Sequence, residues 1–196
     1  MKKRSRIFVH VEERFEEAID YIKESKNFIY ASMFLFFAAV IMGILFSNYL
    51  CILDEVLKDI IEKTEGLHGI GMIIFIFNNN VQASFLALIL GIAFGIFPVL
   101  TLFGNGLIIG YVIDKVSANA GIAELWRLLP HGIFEIHAVF ISFGLGIRLG
   151  MFIFSKNKIK ELKRRFFNSL NVLIYVILPL LLIAALIEGI LINILA

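Results

Sequence analysis

The chain has 196 residues and a mean hydropathy of +0.91; 60% of it is apolar and 17% charged, against about 25% charged in soluble domains. This much apolar surface does not fit inside one soluble core of this size, so an ordinary soluble globule, a disordered chain and a disulfide scaffold are excluded. What is left is an all-α, polytopic transmembrane helix bundle. The net charge of +2 is too small to point to a nucleic-acid partner, and Cys51 is the only cysteine, so an intrachain disulfide is ruled out.

Residues 1–27 begin with basic Lys2, Lys3, Arg4 and Arg6, and then carry apolar Phe8, Val11, Phe15, Ile19 and Ile22 among charges. Spacings of three and four predict an N-terminal amphipathic cytoplasmic helix, without the apolar run of a cleaved signal peptide. Its polar face holds Glu12, Glu13, Glu16, Glu17 and Asp20, which anionic lipid would repel, so packing on the bundle's own ends is the expected role. Residues 28–196 form the transmembrane domain.

A spanning helix needs about 20 apolar residues. The run 28–52 is the first span. The long run that follows breaks at Pro98 and at Gly104-Asn105-Gly106, giving spans at 79–98 and 99–115. Residues 131–154 and 169–196 are the fourth and fifth, the last with a kink expected at Pro179. Segment 54–65 holds five acids and two lysines, whereas 155–168 holds six basic residues and one acid. The positive-inside rule then places the N-terminus and 155–168 in the cytoplasm and the C-terminus outside a cell membrane, and five spans satisfy this without conflict. The basic segment reads as a topology anchor, with anionic-lipid binding as the alternative.

Polar groups at membrane depth need a partner or a cavity. Asn78, Asn79 and Asn80 interrupt an apolar stretch; a helix cap explains one of them well. Asn105 lies between two glycines, where a flexible turn is an equal reading. His131 and Glu135 are four apart on one helix face, and His137 points elsewhere. They form either a mutually satisfied pair bonded to the asparagines, a proton or substrate site, or two ligands of a divalent metal such as Zn²⁺ that still lacks a third and fourth. Glu188 is expected to reach the interface, and Arg148 to snorkel.

Gly91 and Gly95, Gly106 and Gly110, and Gly146 and Gly150 are each four apart, which lets helices approach closely and predicts dense packing of spans two, three and four. Shifting the chain by 55 aligns 80–95 with 135–150, with six of 16 positions identical. Asn80 then falls opposite Glu135. Spans two and three and spans four and five would be parallel helix-pair repeats with polar ends facing each other.

The series Ile76-Phe77-Asn78-Asn79-Asn80, Leu90-Gly91-Ile92 with Gly95 and Pro98, Asn105-Gly106 with Gly110, and Leu129-Pro130-His131-Gly132 with Glu135 and Ala138 resembles the stage II sporulation protein M family over about residues 28–196. The resemblance implies a multi-pass membrane protein in which Asn78, Asn79, Asn105, His131, Gly132 and Glu135 matter together. The family's namesake belongs to the engulfment machinery of sporulating bacteria and acts with two peptidoglycan-degrading partners. The family also occurs in organisms that do not sporulate, so that role does not transfer, and the resemblance supplies no reaction.

Three functions follow. The cluster Asn78, Asn79, Asn80, Asn105, His131 and Glu135 lines a cavity for an ion, proton or small solute. Or it is purely structural, in a scaffold or partner subunit of a membrane or cell-envelope complex. Or His131 and Glu135 hold the metal of an intramembrane hydrolase, for which the chain shows no HExxH and no Ser or Cys nucleophile motif. Glycine-rich faces on a small bundle also suit a homodimer.

Overall fold

A computed structural model of the chain describes residues 6–64, 66–67, 70–121 and 129–195; at helix positions 6–8, 60–61, 64, 119–120, 129–134 and 188–195 the description concerns the backbone alone. The described residues are all-α, with no strand. Helix α1 spans Arg6–Leu45, α2 Leu53–Thr64, α3 Ile70–Gly91, α4 Ile96–Ala120 and α5 Leu129–Gly150. Then α6, Lys158–Val172, passes through a π-helical turn, Leu173–Ile177, into α7, Leu178–Leu195. Five helical stretches are long and apolar enough to cross a membrane: Val9–Leu45, Ile70–Gly91, Ile96–Ala118, Glu135–Phe154 and Lys158–Ile187.

The helix boundaries depart from the sequence expectation in four places. The N-terminal amphipathic helix is not a separate element: α1 continues from it into the first span, because no glycine or proline interrupts residues 6–42. At 1.5 Å per residue a 40-residue helix is about 60 Å long, roughly twice the hydrocarbon thickness. The packed face of its charged half differs in part. Ile19 and Ile22 pack against the core as expected, and Ala18, Tyr21 and Ser25 are buried beside them, while Val11 and Phe15 are exposed. Small and amphipathic residues make the close contact that a count of aliphatic positions passes over.

Asn78, Asn79 and Asn80 do not cap span two but lie inside α3, which starts at Ile70. The break between spans two and three falls at Ile92–Gly95 rather than at Pro98. There Gly95 (φ 70°) and Phe94 (φ 61°) adopt left-handed backbone, and the Gly95 amide donates to the Gly91 carbonyl at 2.8 Å. Pro98 sits in the first turn of α4, where its missing N–H costs nothing, and Gly104-Asn105-Gly106 continues as helix. In the last span the π turn lies just before Pro179. A proline at that position cannot bond the carbonyl one turn earlier, and the wider turn accommodates its ring.

Two glycine seams hold the bundle. At the first, a Cβ on Gly91 would lie 2.5 Å from the Gly146 carbonyl oxygen; one on Gly146 would strike Ala87, and one on Gly150 would strike Gly95. So α3 and α5 touch backbone to backbone, as expected. The second seam corrects the expectation. Gly106 and Gly110 pack not on spans two and four but on α1, against Phe36, Ala39 and Val40, and Gly43 returns the contact on Leu107. Spacing four identifies a face, but not which helix meets it.

The contacts also give directions. Gly91 meets Gly146 and Gly95 meets Gly150, so α3 and α5 run parallel. Residues 36–43 of α1 meet 106–110 of α4 in ascending order, so these two are parallel as well. Arg148, Gly144 and Phe140 of α5 meet Ser25, Ile29 and Ser32 of α1, so those two are antiparallel. This is the alternation that successive crossings require.

Candidate functional site

The α3–α5 seam carries polar pairs as well as glycines. At its amide-rich end, Asn80 Nδ2 donates to Glu135 Oε1 at 2.8 Å, with both residues half-buried. About a turn further along, the buried Ser84 and Ser142 hydroxyls lie 3.1 Å apart, and Ser142 also bonds the Ala138 carbonyl of its own helix. The glycine contacts follow. Asn80 and Glu135 are 55 residues apart, as are Gly91 and Gly146, and Gly95 and Gly150. The offset at which the sequence resembles itself is therefore the offset at which the two helices touch. The match is staggered rather than exact: a Cβ on Gly146 would meet Ala87, one turn before Gly91, and Ser84 and Ser142 are 58 residues apart. An Asn amide suits a carboxylate here because it donates without adding a second charge to the apolar interior.

The other residues of the expected cluster do not all join this pair. Asn78 and Asn79 are exposed on the same end of α3. Asn105 is exposed on α4, and among the described residues it has no hydrogen-bond partner. His131 lies in the first turn of α5, with its side chain outside the described residues, as is that of Glu188. Among the described residues, no three His, Cys, Asp or Glu side chains group to hold a metal ion, and the Glu135 oxygen bonded to Asn80 is already engaged.

A second polar cluster, at the opposite end of α5, escaped the sequence reading. Arg148 does not snorkel: it is 8% exposed. Its guanidinium donates to Ser25 Oγ at 2.5 Å and to Glu24 Oε2 at 2.9 Å, and sits 4.3 Å over the Tyr21 ring. Arg165 of α6 donates to the Arg148 carbonyl at 2.7 Å, to Ser155 Oγ at 3.2 Å and to Glu161 at 3.2 Å. Arg164 reaches Glu24 at 3.5 Å. Arg148 of α5 and Arg164 of α6 thus fasten the charged half of α1, while Arg165 ties α6 to the end of α5. The signal available in the sequence was Ser25 and Glu24 at a helical spacing from Tyr21, opposite an arginine near a helix end. At the far end, Tyr111 of α4 donates to Asp54 at 2.6 Å and ties the first turn of acidic α2 to α4.

An uncharacterized protein of Methanocaldococcus jannaschii is 37% identical over 76 residues, covering 38% of this chain and 43% of that protein. The chain thus matches less than half the length of that relative. No solved structure matches. Residues 32–191, from within the first span to the last, match the family described as Stage II sporulation protein M. The match takes in both glycine seams and the Asn80–Glu135 pair, and this multi-pass membrane protein belongs to that family.

Proposed function

We propose that the protein is a membrane-embedded scaffold, a partner subunit of a membrane or cell-envelope complex, in which the Asn80–Glu135 pair is a join between spans. The observation that carries this reading is the 2.8 Å bond itself: the one carboxylate of the α3–α5 seam is spent on an amide of the neighbouring helix. About three turns further along the same seam, glycine contacts bring the two backbones together. A join of this kind gives a rigid bundle, and its working surfaces are then those outside the spans: the charged half of α1, acidic α2 and basic α6. The charge difference between 54–65 and 155–168 supports placing α6 and the N-terminus in the cytoplasm and α2 outside. With five crossings the C-terminus is also outside.

The test is covalent cross-linking in native membranes followed by identification of attached proteins. The scaffold reading expects discrete partners captured through probes in α1, α2 or α6, and their loss when those surfaces, not Glu135, are altered.

A second reading has its own observation. Asn78 and Asn79 are exposed next to Asn80 in α3, and these amides at the end of the seam suit an ion, proton or solute path. Proteoliposome flux separates the two. A Glu135→Gln protein that melts like wild type yet loses flux supports the path; equal flux, or none in wild type, supports the scaffold.

A further inference from the structure

We propose that α6 with the turn before it is a binding surface for anionic phospholipid headgroups, acting as an electrostatic foot of the bundle in one leaflet. This goes beyond the scaffold reading and does not depend on it. Two independent features meet there. Lys156, Lys158, Lys160 and Lys163 are all exposed, and among the described residues none has an ion pair. The neighbouring arginines, by contrast, are consumed internally: Arg165 by Glu161, Ser155 and the Arg148 carbonyl, and Arg164 by Glu161 and Glu24. The helix therefore keeps two cationic populations, one spent on bonds to α1, α5 and Glu161 and one left without counter-charge.

The second feature is apolar. Phe154, Ile159 and Phe167 are 76%, 72% and 62% exposed. On a helical projection Ile159 and Phe167 fall on the same face as Lys160 and Lys163. A face that mixes bare lysines with an aromatic and a branched aliphatic side chain, on a helix leading straight into a span, suits the boundary of a bilayer. The apolar groups enter the acyl region while the ammonium groups meet phosphates. Charge complementarity selects the lipid: a zwitterionic headgroup offers no net charge to four unpaired lysines, whereas an anionic one does.

The experiment uses the full chain in lipid nanodiscs, with phosphatidylglycerol and phosphatidylcholine mixed equally, and measures by native mass spectrometry which lipid stays with the protein. Wild type is expected to retain phosphatidylglycerol preferentially. The variant K156Q/K158Q/K160Q/K163Q is expected to lose that preference by at least about tenfold, since each lysine at an anionic surface contributes about fivefold. The fourfold Lys→Arg variant, which keeps the charge, is expected to retain it. K58Q/K63Q, on α2 at the other end, is expected to leave it unchanged. Maleimide labelling of the single cysteine, exposed Cys51, on sealed vesicles checks that each variant inserts in the wild-type direction. No preference in wild type, or a preference that survives the fourfold Gln substitution in correctly oriented protein, overturns the proposal.

Discussion

Gly104 and Gly146 are both glycines inside membrane helices, yet their surroundings assign them opposite roles. A Cβ on Gly146 would strike the Ala87 backbone and Pro98, whereas one on Gly104 meets nothing within 4 Å. Gly146→Ala should therefore lower stability by about 1–3 kcal/mol, the usual cost of overpacking a close contact. Gly104→Ala should raise it by about 0.5–1 kcal/mol, because alanine is the better helix former where no contact opposes it. Thermal unfolding of the two purified variants in the same detergent gives both signs in one comparison; equal shifts would show that the seam is not the tight contact described. Gly95 is a third kind of case. Its left-handed φ of 70° and a Cβ position 3.1 Å from the Ile147 carbonyl oxygen both disfavour a side chain, so Gly95→Ala should destabilise in the same assay.

Among the elements, the fastening of α1 depends most on a single residue. Arg148 is buried and touches Tyr21, Ser25 and Glu24. Replacing it with leucine removes these bonds, while Ser25 keeps its own bond to the Tyr21 carbonyl. A loss of about 1–3 kcal/mol is expected, the worth of a buried hydrogen bond to a charged group; the half-exposed Glu24 contributes little to this figure because water screens it. The effect should be local: amide hydrogen exchange should rise over residues 14–25 while α3 and α5 keep their protection. Unchanged exchange in α1 would mean that apolar packing alone holds it.

The elements also show what the sequence could and could not reveal. The parallel arrangement of α3 and α5 was legible, because the 55-residue self-similarity and the glycine spacing both come from residues that touch. Helix ends were not. Three consecutive asparagines look like a boundary when only local preferences are weighed, yet one of them has its partner on another helix. Gly95, not Pro98, makes the turn, since a proline in a first helical turn breaks nothing. Arg148 was misread because an arginine near a helix end looks the same in sequence whether it reaches water or a buried serine. The partner of the Gly106–Gly110 face was invisible for a related reason: spacing describes one helix at a time.

Across the bundle, the parallel α3–α5 pair has different surroundings on either side. The α3–α5 pair obeys the 55-residue offset at three points, from the amide–carboxylate pair to the turn glycines. Around it, α1 and α4 are joined by their own glycine seam, and α6 continues into α7 through the π turn. The ends differ in charge, with acidic α2 held by Tyr111 at one and arginine-fastened α1 and α6 at the other.

The proposed structural join places Asn80 and Glu135 at corresponding positions of two parallel helices. The pair should therefore work in either direction. Asn80→Ala and Glu135→Ala should each lower stability by about 1–3 kcal/mol. The exchange Asn80→Glu with Glu135→Asn, which rebuilds the same bond with its ends reversed, should return unfolding to within about 1 kcal/mol of wild type, a non-additive rescue that only contacting residues show. An exchanged protein as unstable as the two single losses added together would contradict the account.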